Sequence, residues 1–292
     1  MINLHRQLLF ALEIPLCKFF NQVRMAQILN IISFNPGLDL STRTYLKDHV
    51  ERDSLALEEF IHSRLDAFEV YPSCQIFAEH QIVHAIKEWS TSIASQLLWI
   101  LSPSDRHYPS NASQLAAALI NSADEAAIPA LHLFLDWPSN ERGSIFNALY
   151  SLIRQMISLL PQQLTSTADL SSERFARLTD QIESWEAGLA VLKDLLELAP
   201  PLLLVFIDGI DHLDYLSIGT RYVESLLRLL QQHVWADREK EPKKTAKILF
   251  TTAGNCAALN GLEKRDLTVV KITETRLRQR GKAKPGLSGV AL

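Results

Sequence analysis

Long apolar runs and strong charge excess are both missing from this 292-residue sequence. Its most apolar segment follows Pro200 and Pro201 and ends at Asp208, well short of the roughly 20 residues that a membrane-spanning helix needs. The N-terminal stretch LLFALEIPLCKFF is broken by charges and a proline, unlike the apolar core of a signal peptide. We therefore expect a cytoplasmic chain without a membrane span.

Cysteines are also few. Cys17, Cys74 and Cys256 are far apart and odd in number, which argues against a disulfide framework or a zinc cluster and favours a reducing compartment. His80 and His84 stand four residues apart without an acidic or cysteine partner, so we predict no metal site there. The net charge of -4 gives no general reason to expect nucleic-acid binding.

What the sequence does contain, from about residue 93 onward, is a series of short apolar runs that alternate with amphipathic helical patterns. The runs read QLLWIL, PALHLFLDW, LLLVFID, AKILFTT and LTVVKI. Such an alternation predicts an α/β fold, with a mostly parallel sheet covered by helices on both faces. Sheets of this kind bind ligands at the carboxyl ends of their strands.

The beginning and the end of the chain have different patterns. Apolar residues recur at helical spacing from Thr42 to Phe68, which predicts a helical N-terminal segment over residues 1–92. An α/β domain is predicted over residues 93–272. Residues 273–292 are basic and poor in apolar side chains, which is typical of a disordered tail. A basic anchor for an acidic partner is the alternative for this tail.

Four segments in this order resemble a known family. LLWI, LHLFLDW with the helix SIFNALYSLIRQMI, LLVFIDGIDHLD and KILFTTAG match the strand entering the P-loop, the second strand with its tryptophan, the Walker B strand and the sensor-1 strand. The chain thus resembles the NACHT-type domain of STAND NTPases, in the fungal form labelled nephrocystin-3-like N-terminal. The resemblance covers roughly Ile93 to Ile272 and implies a P-loop NTPase-like fold. We expect strand 97–101 to neighbour strand 202–207, with the loop 102–112 beside Asp208.

The segment in the place of the P-loop departs from the family pattern. SPSDRHYPSNASQL has no glycine to let backbone N–H groups wrap phosphates and no lysine to bind them. The resemblance aligns Ala112 with the lysine and Ser113 with the hydroxyl that binds magnesium. Arg106 or His107 could approach an anion instead. The alternative is an ordinary polar loop with Ser113 near a helix start.

The Walker B and sensor segments depart as well. Asp208, Gly209 and Asp211 match the family's Asp-Gly-x-Asp-Glu pattern, but His212 replaces the glutamate that would polarise water. A histidine can act as a base near neutral pH. Alternatively, both aspartates are turn and helix-capping acids. Ala253 stands where the family carries its sensor arginine.

Because phosphoryl transfer depends on positioning and charge stabilisation, these losses predict a catalytically inactive STAND/NACHT-like protein. We expect it to need no cofactor and to act as a protein-interaction or adaptor module through its helical N-terminal segment. The sequence ends soon after the sensor-1 strand, so we also expect the family's winged-helix and repeat regions to be missing.

Two alternatives assign chemistry to the same residues. In the first, the protein is a switch that holds ATP or ADP with little or no hydrolysis. Asp208, Asp211 and Ser113 would then coordinate magnesium, with Arg106 or His107 on phosphate. In the second, the protein is an ATPase with His212 as its base.

Overall fold

The computed structural model describes residues 42–61, 80–103, 110–135, 141–216, 219–239, 244–265 and 267–272, without the side chains of 141–142 and 236–239. Its strands are β1 (Arg43–Leu46), β2 (Gln96–Ser102), β3 (Ala130–Phe134), β4 (Gln163–Ser166), β5 (Leu202–Asp208), β6 (Thr245–Ala253) and β7 (Leu267–Lys271). Its α-helices are α1 (Lys47–Asp53), α2 (His80–Thr91), α3 (Asn111–Glu125), α4 (Glu141–Ser158), α5 (Ser172–Phe175), α6 (Trp185–Glu197), α7 (Ile210–Asp214), α8 (Gly219–Glu239) and α9 (Ala257–Asn260). Two 3₁₀ helices lie at Leu55–Phe60 and Ile182–Ser184.

Five strands form one parallel sheet in the order β3-β5-β6-β2-β7. All seven residues of β5 are buried, as expected for a strand covered on both faces. The predicted α/β fold with a mostly parallel sheet is therefore confirmed, and it is consistent with a P-loop-like fold.

The expected pairing of strand 97–101 with strand 202–207 is wrong. β6 lies between β2 and β5 and pairs in parallel with both. The run from Ala246 to Thr252 is buried throughout, and a central position with a strand on each side gives its backbone groups partners along its whole length. The N-terminus of α3 nevertheless reaches the end of β5, where the hydroxyl of Ser113 lies close enough to the Asp208 carboxyl to lower its pKa.

Helices cover both faces of the sheet. On one face, α4, α6 and α8 pack around Trp185, which lies edge-on to Phe146 and Tyr222 and donates its indole N–H to Ser225 Oγ at 2.8 Å. On the other face, α2 and α3 pack over the sheet, with Trp89 edge-on to Phe206. No helix among the described residues is long and apolar enough to cross a membrane.

The described part of the N-terminal segment is not all helical. Arg43–Leu46 is a strand that pairs antiparallel with β4, which the helical periodicity from Thr42 to Phe68 did not predict. Arg154 of α4 holds the segment that follows β1, because its guanidinium donates to Glu51 O, Ser54 Oγ and Glu58 Oε1. The domain boundaries at residues 92 and 272 stay predictions, and the tail 273–292 lies outside the described residues.

Candidate functional site

Asp208, the last residue of β5, is at the centre of the candidate site. It is 3% exposed, and its Oδ1 accepts a hydrogen bond from Thr251 Oγ1 at 2.5 Å. Thr251 lies directly opposite Asp208 in the β5–β6 register. Burial raises the pKa of Asp208 to about 6, although hydrogen bonds from Thr251 and Ser113 lower it in part.

The hydroxyl of Ser113 belongs to a network that closes the N-terminus of α3. Ser110 is the N-cap residue, and its Oγ accepts the Ser113 backbone N–H at 3.0 Å. The two serine hydroxyls are 2.9 Å apart. Ser113 also lies close enough to Asp208 for its hydroxyl to lower the pKa of that carboxyl, so Ser110, Ser113, Asp208 and Thr251 form one polar cluster that joins α3, β5 and β6.

Gly209 and His212 shape the turn between β5 and α7. Gly209 has φ +76°, and a Cβ added there would lie 2.2 Å from the carbonyl oxygen of Leu135. That same oxygen is 2.8 Å from His212 Nδ1. Because a carbonyl oxygen only accepts, Nδ1 is the protonated ring nitrogen. His212 is buried and fixes the end of β3 to α7.

Asp211 and Asp214 lie three residues apart on α7, and each has one buried oxygen without a hydrogen-bond partner in the described residues. Burial raises the pKa of Asp211, and the nearby Asp214 carboxyl acts in the same direction while His212 opposes it. The other oxygen of Asp214 accepts the backbone N–H groups of Ala257 and Ala258 at 2.5 and 3.4 Å. α7 thus anchors the segment that follows β6.

The end of β6 contains the residues that the resemblance assigns to the sensor turn. Thr252 Oγ1 accepts the indole N–H of Trp99 at 2.9 Å and donates to the carbonyl of Gly254 at 2.8 Å. Ala253 follows Thr252, so the position that the resemblance assigns to a sensor arginine has a methyl group. Cys256 beyond it is buried, and burial raises the pKa of its thiol to about 12.

The structure brings together four of the residues selected from the sequence. Ser113 and Asp208 are in contact, and Asp211 and His212 follow in α7 at the same end of the sheet. Arg106 and His107 lie outside the described residues. No three His, Cys, Asp or Glu side chains in the described stretches are grouped to hold a metal ion.

Sequence reasoning missed Ser110 and Thr251. A signal for Thr251 exists in AKILFTT, where an apolar strand ends in hydroxyl residues at the edge expected to carry the site. Its partnership with Asp208 depends on the strand register, which the sequence does not display.

The family model described as Nephrocystin 3, N-terminal matches residues 72–252, more than half of the chain. The chain belongs to this family. The match spans the parallel strands β2, β3, β5 and β6 together with α3, and it ends at Thr252. No curated protein and no solved structure matches the chain.

For this member of the nephrocystin 3, N-terminal family, the matched region therefore contains Ser113, Asp208, Asp211 and His212. The strand β1 with its turn to α1, and the edge strand β7, lie outside the match. The family match therefore covers the candidate site but not β1 or β7.

Proposed function

We propose that this chain is a catalytically inactive relative of NACHT-type STAND NTPase domains, and that it acts through protein contacts. The observation that carries this proposal is that the Asp208 carboxyl is buried and bound by other protein groups. Its oxygens are buried against the hydroxyls of Thr251 and Ser113, and Ser113 is itself paired with Ser110. These groups satisfy one another and join three elements of the fold.

The charges at this end of the sheet also argue against phosphoryl transfer. The segments 110–113, 208–214 and 251–257 contain three aspartates and neither lysine nor arginine. Two like charges about 4 Å apart repel by about 4 kcal/mol at the effective dielectric constant of a protein surface. A triphosphate brought here without matching cations would meet this repulsion rather than the stabilisation that catalysis needs.

The magnesium nucleotide that the resemblance implies does not fit the described residues as they stand. Ser113 and Asp208 lie together as a magnesium-binding pair would, but both are buried and already engaged with protein hydroxyls. His212 is buried, which limits the access of water to it, and its Nδ1–H bond to Leu135 O leaves Nε2 as the ring nitrogen that could act as a base.

Phosphate release tests whether the protein hydrolyses ATP, and calorimetry tests whether it binds the nucleotide. With the full chain and Mg-ATP at sub-millimolar concentration, we expect no phosphate above background and no binding heat. Asp208→Ala serves as the matched variant. Phosphate release that disappears in Asp208→Ala or in His212→Ala would overturn the proposal in favour of an ATPase.

The second candidate, a nucleotide-holding switch, is favoured by the contact between Ser113 and Asp208 and by the unpartnered Asp211 oxygen beside them. It differs from the first proposal in one result. Binding heat for Mg-ATP or Mg-ADP that is lost in Asp208→Ala, without phosphate release, would support the switch and contradict the first proposal.

The N-terminal segment is the contact surface we propose for protein partners. Leu46 and Leu55 are large apolar side chains that are 46% and 49% exposed on its described part. We expect Leu46→Asp with Leu55→Asp to abolish cross-links to partner proteins in cells, whereas Ile93→Asp, at an exposed apolar residue outside this segment, retains them. Equal cross-linking by both variants would exclude this surface.

A further inference from the structure

We propose that the outer edge of β7 binds an acidic, extended segment of a partner protein as an added sixth strand. This goes beyond the proposed function, because it names a different surface and does not depend on the loss of hydrolysis. It rests on the backbone of β7, on the contrast with the opposite edge of the sheet, and on the charge around the strand.

The backbone groups of β7 alternate between the sheet and the outside. Ile272 N donates to Leu101 O of β2 at 2.8 Å, so residues 268, 270 and 272 turn their polar groups toward β2. Residues 267, 269 and 271 therefore turn theirs outward. The Lys271 carbonyl confirms this direction, because it accepts Gln81 Nε2 of α2 at 2.9 Å from outside the ladder.

Val269 is the open position of this edge. In the part of the chain that the structure describes, β7 pairs with β2 alone, and the outward N–H and C=O of Val269 have no hydrogen-bond partner there. Its side chain is 42% exposed, although it is a large apolar group on a strand. An unpaired edge of this kind is a template for another strand.

The opposite edge of the sheet is closed at its central position. On β3, Ala130, His132 and Phe134 face outward, and the side-chain amide of Gln155 from α4 accepts the His132 N–H and donates to the His132 C=O, both at 2.8 Å. Gln155 thus takes the place of a further strand at His132. On the β7 side, Gln81 donates to the Lys271 carbonyl and not to Val269, the central outward residue.

Charge identifies the chemistry of the occupant. Lys264, Arg265 and Lys271 are exposed around β7, against one exposed acid, Glu263. From residue 263 to the end, the sequence has eight Lys or Arg against three acids, in a chain whose total charge is -4. α2, which packs beside β7, adds one lysine and one glutamate, so the net charge of this region stays positive. The added strand should therefore be acidic.

The same charges disfavour a second copy of the chain. Antiparallel pairing of two β7 strands about Val269 would place Lys271 of each copy opposite Leu267 of the other and diagonal to its Arg265. Long basic side chains of the two copies come within reach of each other at such diagonal positions, and their like charges repel. An acidic strand from another protein faces no such repulsion.

The test uses the full chain and a short fluorescein-labelled peptide that alternates valine with glutamate. We expect saturable binding by fluorescence anisotropy, weaker at high salt, and no binding of the same peptide with lysine in place of glutamate. In the free protein, the amides of Leu267 and Val269 should exchange with solvent faster than those of Thr268 and Val270. Peptide should slow the first pair selectively.

Val269→Pro is the decisive variant. Proline removes the outward N–H without removing a bond to β2, which an edge strand tolerates, and we expect binding at least about tenfold weaker. Val269→Thr keeps the N–H and should bind like the wild type. Lys271→Glu should weaken binding independently, so the inference stays testable even if the proline variant fails to fold.

Several results would overturn the inference. They are equal exchange of the two amide pairs in the free protein, unchanged binding by a folded Val269→Pro or by Lys271→Glu, and equal binding of the lysine peptide. Self-association of the wild type that Val269→Pro abolishes, measured by sedimentation velocity, would replace the acidic strand by a second copy. None of these outcomes alters the expected result for phosphate release.

Discussion

The body of the sheet and its carboxyl end are held together in different ways. The body is apolar: Leu202 to Ile207 are buried between two layers of helices, and their contribution depends on shape and area. The carboxyl end depends on single hydrogen bonds around Asp208, while Asp211 and Asp214 each bury an oxygen without a partner. A sheet can therefore keep its fold while the chemistry at its end changes.

The largest effect should come from the body. Phe206 is buried and lies edge-on to Trp89 at 6.2 Å between ring centroids. Phe206→Ala should lower the free energy of unfolding by about 4 kcal/mol, because it removes apolar contacts and leaves a cavity. Phe206→Leu should cost less than about 1.5 kcal/mol. Urea denaturation measures both, and a similar loss in the two variants would show that the body is not packed as described.

The turn that joins the two regions should be nearly as sensitive. Gly209→Ala places a Cβ 2.2 Å from Leu135 O at φ +76°, and we expect a loss of about 3 kcal/mol from steric overlap and backbone strain. Gly254→Ala is the matched control, since φ is +139° there but the nearest atoms are 3.8 and 3.9 Å away. Strain alone should cost it about 1 kcal/mol. Equal losses by chemical denaturation would exclude the clash with Leu135.

The strands that could be predicted from the sequence are those with long apolar runs. β2 and β5 were visible as apolar runs of strand length between helical patterns. β1 was not, because RTYL is short and mostly exposed and becomes a strand only by pairing with Gln163–Ser166 far along the chain. The position of β6 between β2 and β5 was also hidden, since a run of apolar residues does not specify its neighbours.

At the site, motif alignment selected Ser113 and Asp208, which the structure brings into contact. It did not select Thr251 or Ser110, because a hydroxyl becomes a partner only through strand register or helix start geometry. Composition could not show that Asp211 and Asp214 would bury unpaired oxygens.

The pH dependence of stability should separate the two regions. The pKa of Asp208 is about 6 in the folded protein against 3.8 when exposed, so the folded state binds more protons between these values. Asp208 therefore stabilises the fold below about pH 4, and this contribution is lost as the pH rises through 6, by about 3 kcal/mol at most. Asp208→Asn should remove this share of the pH dependence, leave the share of Asp211, whose pKa burial also raises, and match or exceed the wild type in stability at pH 7.5.

Glu186 supplies the control, because it is an exposed carboxyl on α6. Glu186→Gln should leave the difference between pH 4.5 and 7.5 as it is in the wild type, measured by denaturation at both pH values. If Asp208→Asn also leaves it unchanged, the carboxyl is not buried as described. Phe206→Leu should shift stability equally at both pH values, because the body has no titrating group there.

The smallest effect should come from the hydroxyl that closes Asp208. Thr251→Val keeps the shape of the side chain and removes the donor to Oδ1, so we expect a loss of about 2 kcal/mol where Asp208 is ionised. The loss should be smaller at pH 5 than at pH 8, because a hydrogen bond to a charged acceptor is the stronger one. Thr245→Val, at the amino end of the same strand, removes a hydroxyl bonded to the carbonyl of Ile93 and should show no such pH dependence. A pH-independent loss in Thr251→Val would mean that the hydroxyl does not stabilise the ionised Asp208 carboxyl. Thr251 would then belong to the body of the sheet rather than to its carboxyl end.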